Sequence, residues 1–241
     1  MSLYNIAELK VNMDLKYALT RKKAEPYYVG EDVSGADFSV SVSEERLDKY
    51  AKRFNNADAK DEYEYYIASS DFYWEMLKFG GIMLHSSAVV VDGKAYLFSA
   101  KSGTGKSTHT SLWLKLLGDK AYILNDDKPA IRLVDGKVRA FGTPFSGKVD
   151  LHKNIGVDIG AICFIERSEE NSIKQITVAE ALPLILAQVP FTSESEALPK
   201  TLDVLDKLLT QIQCFKLNCN MDISAAELSY NTLKKAVKIN E

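Results

Sequence analysis

Residues 100–107, Ala-Lys-Ser-Gly-Thr-Gly-Lys-Ser, constrain this chain more than any other stretch. An apolar run, Lys94-Ala95-Tyr96-Leu97-Phe98, leads into them. A helical pattern from Thr108 to about Leu117 follows, closed by Gly118 as a C′ glycine. Glycines at 103 and 105 of a strand-to-helix turn let backbone N–H groups point inward around an anion without Cβ clashes. The helix starting near Lys106 aims its free N–H groups and the positive end of its dipole at the same place. Lys106 supplies a full positive charge for outer phosphates, and Ser107 supplies a hydroxyl suited to Mg²⁺. The segment matches the phosphate-binding pattern G-x-x-x-x-G-K-[ST], with Ala100 in place of the first glycine. That position needs a small residue, so the departure is mild.

Asn125-Asp126-Asp127 closes the next apolar run, Ala121-Tyr122-Ile123-Leu124. Residues 94–126 have the length of one strand–helix–strand unit, about 30 residues. The two strands of such a unit run the same way, which predicts that the glycine loop and the Asp pair share one sheet edge. Of two acids beside a phosphate site, one can hold Mg²⁺ and the other can take a proton from an attacking hydroxyl. Two hairpins flank the unit, each turning on Asp-Gly: Ser87–Val91 with Lys94–Phe98, and Ala130–Val134 with Val138–Phe141. The sheet is therefore expected to be mixed, α/β in class, rather than purely parallel. No guanine-reading Asn-Lys-x-Asp occurs, which weakens a GTPase reading.

Composition narrows the partners. Among 241 residues, 30 Lys+Arg stand against 33 Asp+Glu, a net charge of −3, so a nucleic-acid backbone is not an expected ligand. Three cysteines (Cys163, Cys214, Cys219) give neither a disulfide framework nor a metal spacing and are expected to be buried. No apolar run reaches membrane length, and Glu8 and Asp14 interrupt any signal-like start, so a cytoplasmic chain without membrane contact is expected. Residues 1–65 read as a small α+β extension ahead of a catalytic domain at 66–241. In the extension Asp37–Ser43 alternates like a strand, Ser43 caps a helix to about Phe54, and 55–64 reads as a polar linker or loop. Tyr63, Tyr65, Tyr66, Tyr73 and Trp74 are expected in a core. Further on, Ala161–Ile165 is a buried strand. Thr177 with Glu180 forms a capping box for a helix to about Val189, and Leu198–Ile212 is helical. Phe215–Leu217 is a strand, and Ser224 with Glu227 caps the last helix.

His85-Ser86-Ser87-Ala88, the loop Ser102–Ser107 and Asn125-Asp126-Asp127 together resemble the catalytic domain of HPr kinase/phosphorylase. That domain shares its P-loop fold with phosphoenolpyruvate carboxykinase. The runs 123–129 and 142–148 resemble most the HPr-kinase-like proteins of bacteria, some of which act as serine kinases. The resemblance is good over residues 80–150 and only in outline elsewhere. It implies an ATP- and Mg²⁺-dependent kinase that phosphorylates a serine-like hydroxyl. Asp126 would be the base, Asp127 would lie near the metal with Ser107, and His85 would approach the transferred phosphate. Ser102, Gly103, Thr104, Gly105, Lys106, Ser107 and Thr108 would hold the nucleotide. Thr108 stands where these kinases usually carry Glu, and no Glu-Ile-Arg-Gly signature follows, so HPr itself is not the implied acceptor.

Other cations and imidazoles remain open from the residues alone. Lys148 beside Gly147 fits a mobile phosphate clamp, with Lys128 and Arg132 weaker candidates of the same kind. His109 and Trp113 on the loop helix read as structural, and His152 as a surface residue. The expected function is an ATP-dependent phosphotransferase acting on a protein, peptide or small-molecule hydroxyl, in a chain that can assemble with itself. The alternative is an ATP-binding sensor that transfers nothing.

Overall fold

A computed structural model describes residues 1–147, 149–190 and 197–239. The first strands are β1 (Ser2–Ile6) and β2 (Leu9–Asp14), then come α1 (Ala18–Ala24), β3 (Tyr28–Gly30) and β4 (Phe38–Ser41). They form a four-stranded sheet in the order β3-β1-β2-β4. Helices α2 (Glu44–Phe54) and α3 (Lys60–Leu77) follow. Ser43 caps α2 as its spacing predicts, accepting from the Arg46 N–H at 3.3 Å. The polar stretch 55–64 is not a linker throughout, because α3 begins at Lys60 and runs on through residue 65. Its inward face buries Tyr63, Tyr65 and Tyr73, while Tyr66 is exposed and Trp74 half-buried.

The second sheet comprises β5 (Gly81–Met83), β6 (Ser86–Val91), β7 (Lys94–Ser99), β8 (Ala121–Asp127), β9 (Ala130–Val134), β10 (Lys137–Phe141), β11 (Gly156–Arg167), β12 (Ser172–Ile176) and β13 (Cys214–Cys219). Its main order is β5-β9-β10-β11-β7-β6-β8. At β11 the sheet forks. The first residues of β11 pair antiparallel with β10, and Ile162–Arg167 pair parallel with β13, which also pairs β12. The sheet is mixed, as the two hairpins predict, and both Asp-Gly turns place Asp and Gly at positive φ (Asp92, Gly93; Asp135, Gly136).

Helices cover both faces. On one side lie α5 (Val178–Leu186) and α6 (Ala197–Gln211), and on the other α4 (Lys106–Leu117) and α7 (Ile223–Ile239). Strands buried on both faces explain the unbroken apolar runs. Ala88, Val90, Ala95 and Leu97 enter the first core, and Val89, Val91, Tyr96 and Phe98 the second. A third core joins the four-stranded sheet and α3 to Ala130, Phe141 and Phe145 of the large sheet and its loops.

Two helix ends differ from the sequence reading. Helix α5 stops at Leu186 rather than near Val189. The last helix is capped by Asp222, not Ser224: Oδ1 of Asp222 accepts from the Ser224 N–H at 2.9 Å, and Ser224 Oγ turns to Asn171. The Thr177–Glu180 capping box forms as expected. All three cysteines are buried and free.

Candidate functional site

The large sheet brings the predicted residues together through one strand. β6 lies between β7 and β8 and runs antiparallel to both. Ser86 is therefore opposite Ser99 on one side and Asp127 on the other. Three chain segments meet at that edge: His85 entering β6, the glycine loop leaving β7, and Asp126-Asp127 ending β8. Ser99 Oγ donates to the His85 carbonyl at 2.8 Å, and Ser87 Oγ hydrogen-bonds Thr110 Oγ1 at 2.8 Å, tying β6 to α4.

The loop takes the shape that its glycines permit. Gly103 has φ +78° and Gly105 φ +122°, and a Cβ at either would meet nothing within 4 Å, so both glycines serve backbone conformation rather than packing. Lys106 opens α4 and is 8% exposed, with its ammonium donating to the Ala100 carbonyl at 3.1 Å. Burial lowers its pKa, against the pull of Asp127 and Asp126. Arg167, at the end of β11, reaches across and donates from Nε to the Thr104 carbonyl at 3.0 Å and from Nη2 to the Gly103 carbonyl. Nothing in the local sequence marks Arg167. Its place follows from β11 pairing with β7.

The Asp pair is asymmetric. Asp126 is 5% exposed, and its Oδ1 is buried without a hydrogen-bond partner. Asp127 has φ +119°, a strained conformation for a non-glycine residue. Its Oδ1 lies 3.1 Å from His85 Nε2, and the other nitrogen of His85 meets Gln188 Oε1 at 3.1 Å. Burial alone would raise the Asp127 carboxyl, but the His85 hydrogen bond and the nearby Lys128, His85 and Lys106 outweigh it and hold the pKa below the usual range. Asn125 is a positioning residue: Nδ2 donates to the Thr143 carbonyl at 3.0 Å, and Oδ1 accepts from the Lys128 N–H at 2.8 Å.

Residues 142–147 and 149–153 run along the free edge of β8. Asp126 N–H donates to the Leu151 carbonyl, and Lys153 N–H to that of Leu124, both at 3.0 Å. Gly147 N–H donates to the Asp126 carbonyl, and a Cβ on Gly147 would stand 3.0 Å from that oxygen. Lys148, the expected clamp, lies outside the described residues. His152 is not at the surface: its side chain is 6% exposed, and Nδ1 pairs with the Tyr27 hydroxyl at 2.9 Å. Arg132 is not a site cation either, since it donates to the carbonyls of Ala7 and Phe79 under the small sheet.

The opposite wall comes from the first seventy residues. Leu19, Lys23, Glu62, Tyr65 and Tyr66 face a cleft of about 1050 Å³ that also takes in the glycine loop, Lys106, Ser107, Thr108, His85 and the Asp pair. Glu62 itself carries no described partner, whereas Glu64 on the same turn caps the backbone N–H groups of Lys16 and Tyr17. Lys23 donates to Ser146 Oγ at 3.2 Å and to the Asp150 carboxylate, and Tyr65 donates to the Ser146 carbonyl at 2.6 Å. Of these, only Tyr65 and Tyr66 stood out in the sequence, and as core aromatics rather than as site residues. His109 and Trp113 are structural as expected: both bond Ser229 Oγ of α7, at 3.0 and 2.9 Å.

Among the described residues, no group of three or more His, Cys, Asp or Glu is arranged to hold a metal ion, and no helix is long and apolar enough to cross a membrane. No known protein family matches the chain, and no curated protein matches it in sequence. Among solved structures it is similar to the Hpr(Ser) kinase/phosphatase from Coxiella burnetii, with 10% identity and a TM-score of 0.37, over 64% of this chain and 97% of that one. A likeness of that degree carries no argument about chemistry.

Proposed function

We propose that this cleft binds ATP with Mg²⁺ and transfers the γ-phosphate to a hydroxyl acceptor. The observation that carries the reading is the carboxylate of Asp126, buried with Oδ1 unpartnered beside the glycine loop and Lys106. A buried, unsatisfied acceptor atom is costly unless a ligand group completes it. The residues suit both the nucleotide and Mg²⁺. Gly103 and Gly105 leave an open cradle of backbone for phosphates. Mg²⁺ takes few protein ligands and fills its shell with phosphate oxygens and water, so Ser107 and Asp127 suffice without a larger carboxylate cluster. When bound, Mg²⁺ would neutralise phosphate charge. A hollow of about 500 Å³ on the far side of the loop, lined by Thr108, Leu112, Ile165 and Met221, offers room for the nucleoside.

In this reading the backbone of residues 102–107, Lys106 and Thr108 bind and orient the phosphates. Arg167 fixes the loop by holding two of its carbonyls. Asp126 accepts the acceptor's hydroxyl proton as the new O–P bond forms and the bond to the β-phosphate bridging oxygen breaks, releasing ADP. The His85 hydrogen bond favours the ionised Asp127 carboxylate, and α1 together with α3 closes the acceptor side. Catalysis rests on positioning and charge, as phosphoryl transfer generally does.

Asp126→Asn should lower transfer by about 10²–10⁴-fold, the usual weight of a general base, while ATP binding persists. Lys106→Ala should weaken ATP binding itself. Labelled ATP with a panel of hydroxyl acceptors reads both, and normal turnover in Asp126→Asn sinks the base assignment. ATP binding with neither ADP release nor labelled acceptor would favour a sensor.

A further inference from the structure

The cations of the cleft fall into two groups by the charges they face. Lys106 interacts with Asp127 and Asp126, whereas Lys128 interacts with Asp127 and Lys23. Lys23 is already held by Ser146 and Asp150. Among the described residues, Lys128 is the cleft cation that lacks a hydrogen-bond acceptor. Its side chain is 19% exposed, and its ammonium lies 5.5 Å from the Tyr65 ring centre and 5.6 Å from that of Tyr66. Aromatic faces stabilise a cation but accept no directed hydrogen bond from it. The nearest carboxylate oxygen, Asp127 Oδ2, is 4.0 Å away, beyond hydrogen-bond reach, and no described residue accepts from this ammonium.

Lys128 and Tyr66 also form the mouth of a second hollow of about 330 Å³ between α3 and β5. Trp74, Leu77, Ile82 and Met83 give it an apolar lining. Two of its polar groups are already occupied: the Tyr73 hydroxyl is shared between the Lys128 carbonyl and Thr143, and Asp71 is held by Arg46 at 2.6 and 2.9 Å. A ligand there gains from apolar contact within and from an anion at Lys128, the residue that lines both this hollow and the cleft of the Asp pair.

We propose that Lys128, between Tyr65 and Tyr66, binds a carboxylate of the phosphoryl acceptor, whose apolar neighbouring group enters the hollow between α3 and β5. The acceptor class is a hydroxyl amino-acid derivative or short peptide with a carboxylate next to the hydroxyl-bearing residue and an apolar residue on its other side. The role of the hydroxyl rests on the phosphotransfer reading. Carboxylate binding does not, because it needs no nucleotide.

The test is a ligand-observed NMR titration of the full chain without nucleotide. Four probes are used: N-acetyl-Leu-Ser with a free carboxylate, its amide, N-acetyl-Leu-Ser-Asp amide, and the Asn counterpart of the last. At least one carboxylate probe should bind about tenfold or more tightly than its neutral partner, the weight of one charge-assisted hydrogen bond. The preference should vanish in Lys128→Gln and in Lys128→Met, and Tyr66→Ala should weaken the same probe. Selective binding of the first probe assigns the anion to a terminal carboxylate, and of the third to an acidic side chain within a peptide. Failure of both carboxylates to bind, equal binding of the neutral probes, or an unchanged preference in folded Lys128 variants overturns the proposal. ATP titration of the same samples separates the two readings: wild-type protein that ignores ATP but selects carboxylates loses the kinase and keeps this site. Melting curves identify the Lys128 variants that are folded and enter the comparison.

Discussion

The two walls of the cleft are built in opposite ways. The wall carrying the glycine loop is local: one strand, one turn and one helix of 12 residues within residues 94–117 supply the backbone cradle, Lys106 and Ser107. The facing wall is assembled from remote pieces. Lys23 reaches Asp150 across 127 positions of sequence, Tyr65 reaches Ser146 across 81, and Tyr27 meets His152 across 125. A local wall is set by turn chemistry and needs only its own residues to be right. A remote wall exists only once the third core has brought the small sheet, α3 and the 142–153 loop together. The first should tolerate damage elsewhere in the molecule, and the second should not.

The strongest way to break the facing wall is at Gly142. A Cβ there would collide with the Lys153 carbonyl and lie 2.7 Å from the Leu124 carbonyl oxygen, both backbone atoms that have no room to give. Gly142→Ala should cost about 3 kcal/mol or more of stability, the size reserved for steric clash against fixed backbone. Chemical denaturation reads the loss. If the comparison holds, hydrogen exchange will rise first at the N–H groups of Asp126 and Lys153, whose partners are Leu151 and Leu124, and will leave α4 unchanged. Uniform deprotection of both walls would show that they do not open separately.

The local wall has a weakness of its own, and it depends on pH. His109 sits on the first turn of α4, 2% exposed, with Nδ1 lacking any partner. Burial pushes its pKa from 6.5 down to about 4. Between those values the unfolded chain binds a proton that the folded chain refuses, so stability falls as pH falls through that window. The drop from 6.5 to about 4 corresponds to roughly 3 kcal/mol lost by pH 4. His109→Gln, which keeps a donor for Ser229, should flatten the acid limb of a stability curve by about that amount. The part that remains belongs partly to His152, whose pKa is also lowered by burial. An unchanged acid limb would remove His109 from the account.

The same contrast explains what could be read from the chain. The glycine loop, both Asp-Gly hairpins and the meeting of loop and Asp pair follow from spacing along single segments. The mixed sheet follows from those hairpins. Arg167 could not be found that way, because its meaning comes from β11 lying beside β7 after a long excursion. His152 looks like a surface residue until Tyr27 is known to cover it. Arg132 reads as a spare cation until the small sheet arrives with the Ala7 carbonyl. Ser224 and Asp222 are two residues apart and both can cap a helix, and the choice turned on Asn171, which draws the Ser224 hydroxyl away. For His152 the partner lies 125 residues off, and polarity alone pointed to solvent.

Lys23 gives the smallest and most discriminating perturbation. Among the described residues it is the one ammonium that ties α1 to Ser146 and Asp150. Asp150 remains 42% exposed on its side chain, so water takes over much of the interaction when the lysine is removed. Lys23→Met should therefore cost only about 1 kcal/mol. The Asp150 carboxyl is raised by burial but lowered more by Lys23 and Ser146, ending below its ordinary 3.8. A depressed carboxyl adds stability above pH 3.8 that is lost as pH falls through the folded value, and that dependence should shrink in Lys23→Met. The loop glycines and Lys106 touch none of this, so ATP affinity should not change. Acceptor turnover should fall because Ser146 and Gly147, which frame Asp126, lose their anchor to α1. A Lys23→Met protein with weakened ATP binding and normal acceptor turnover would reverse the assignment of the two walls.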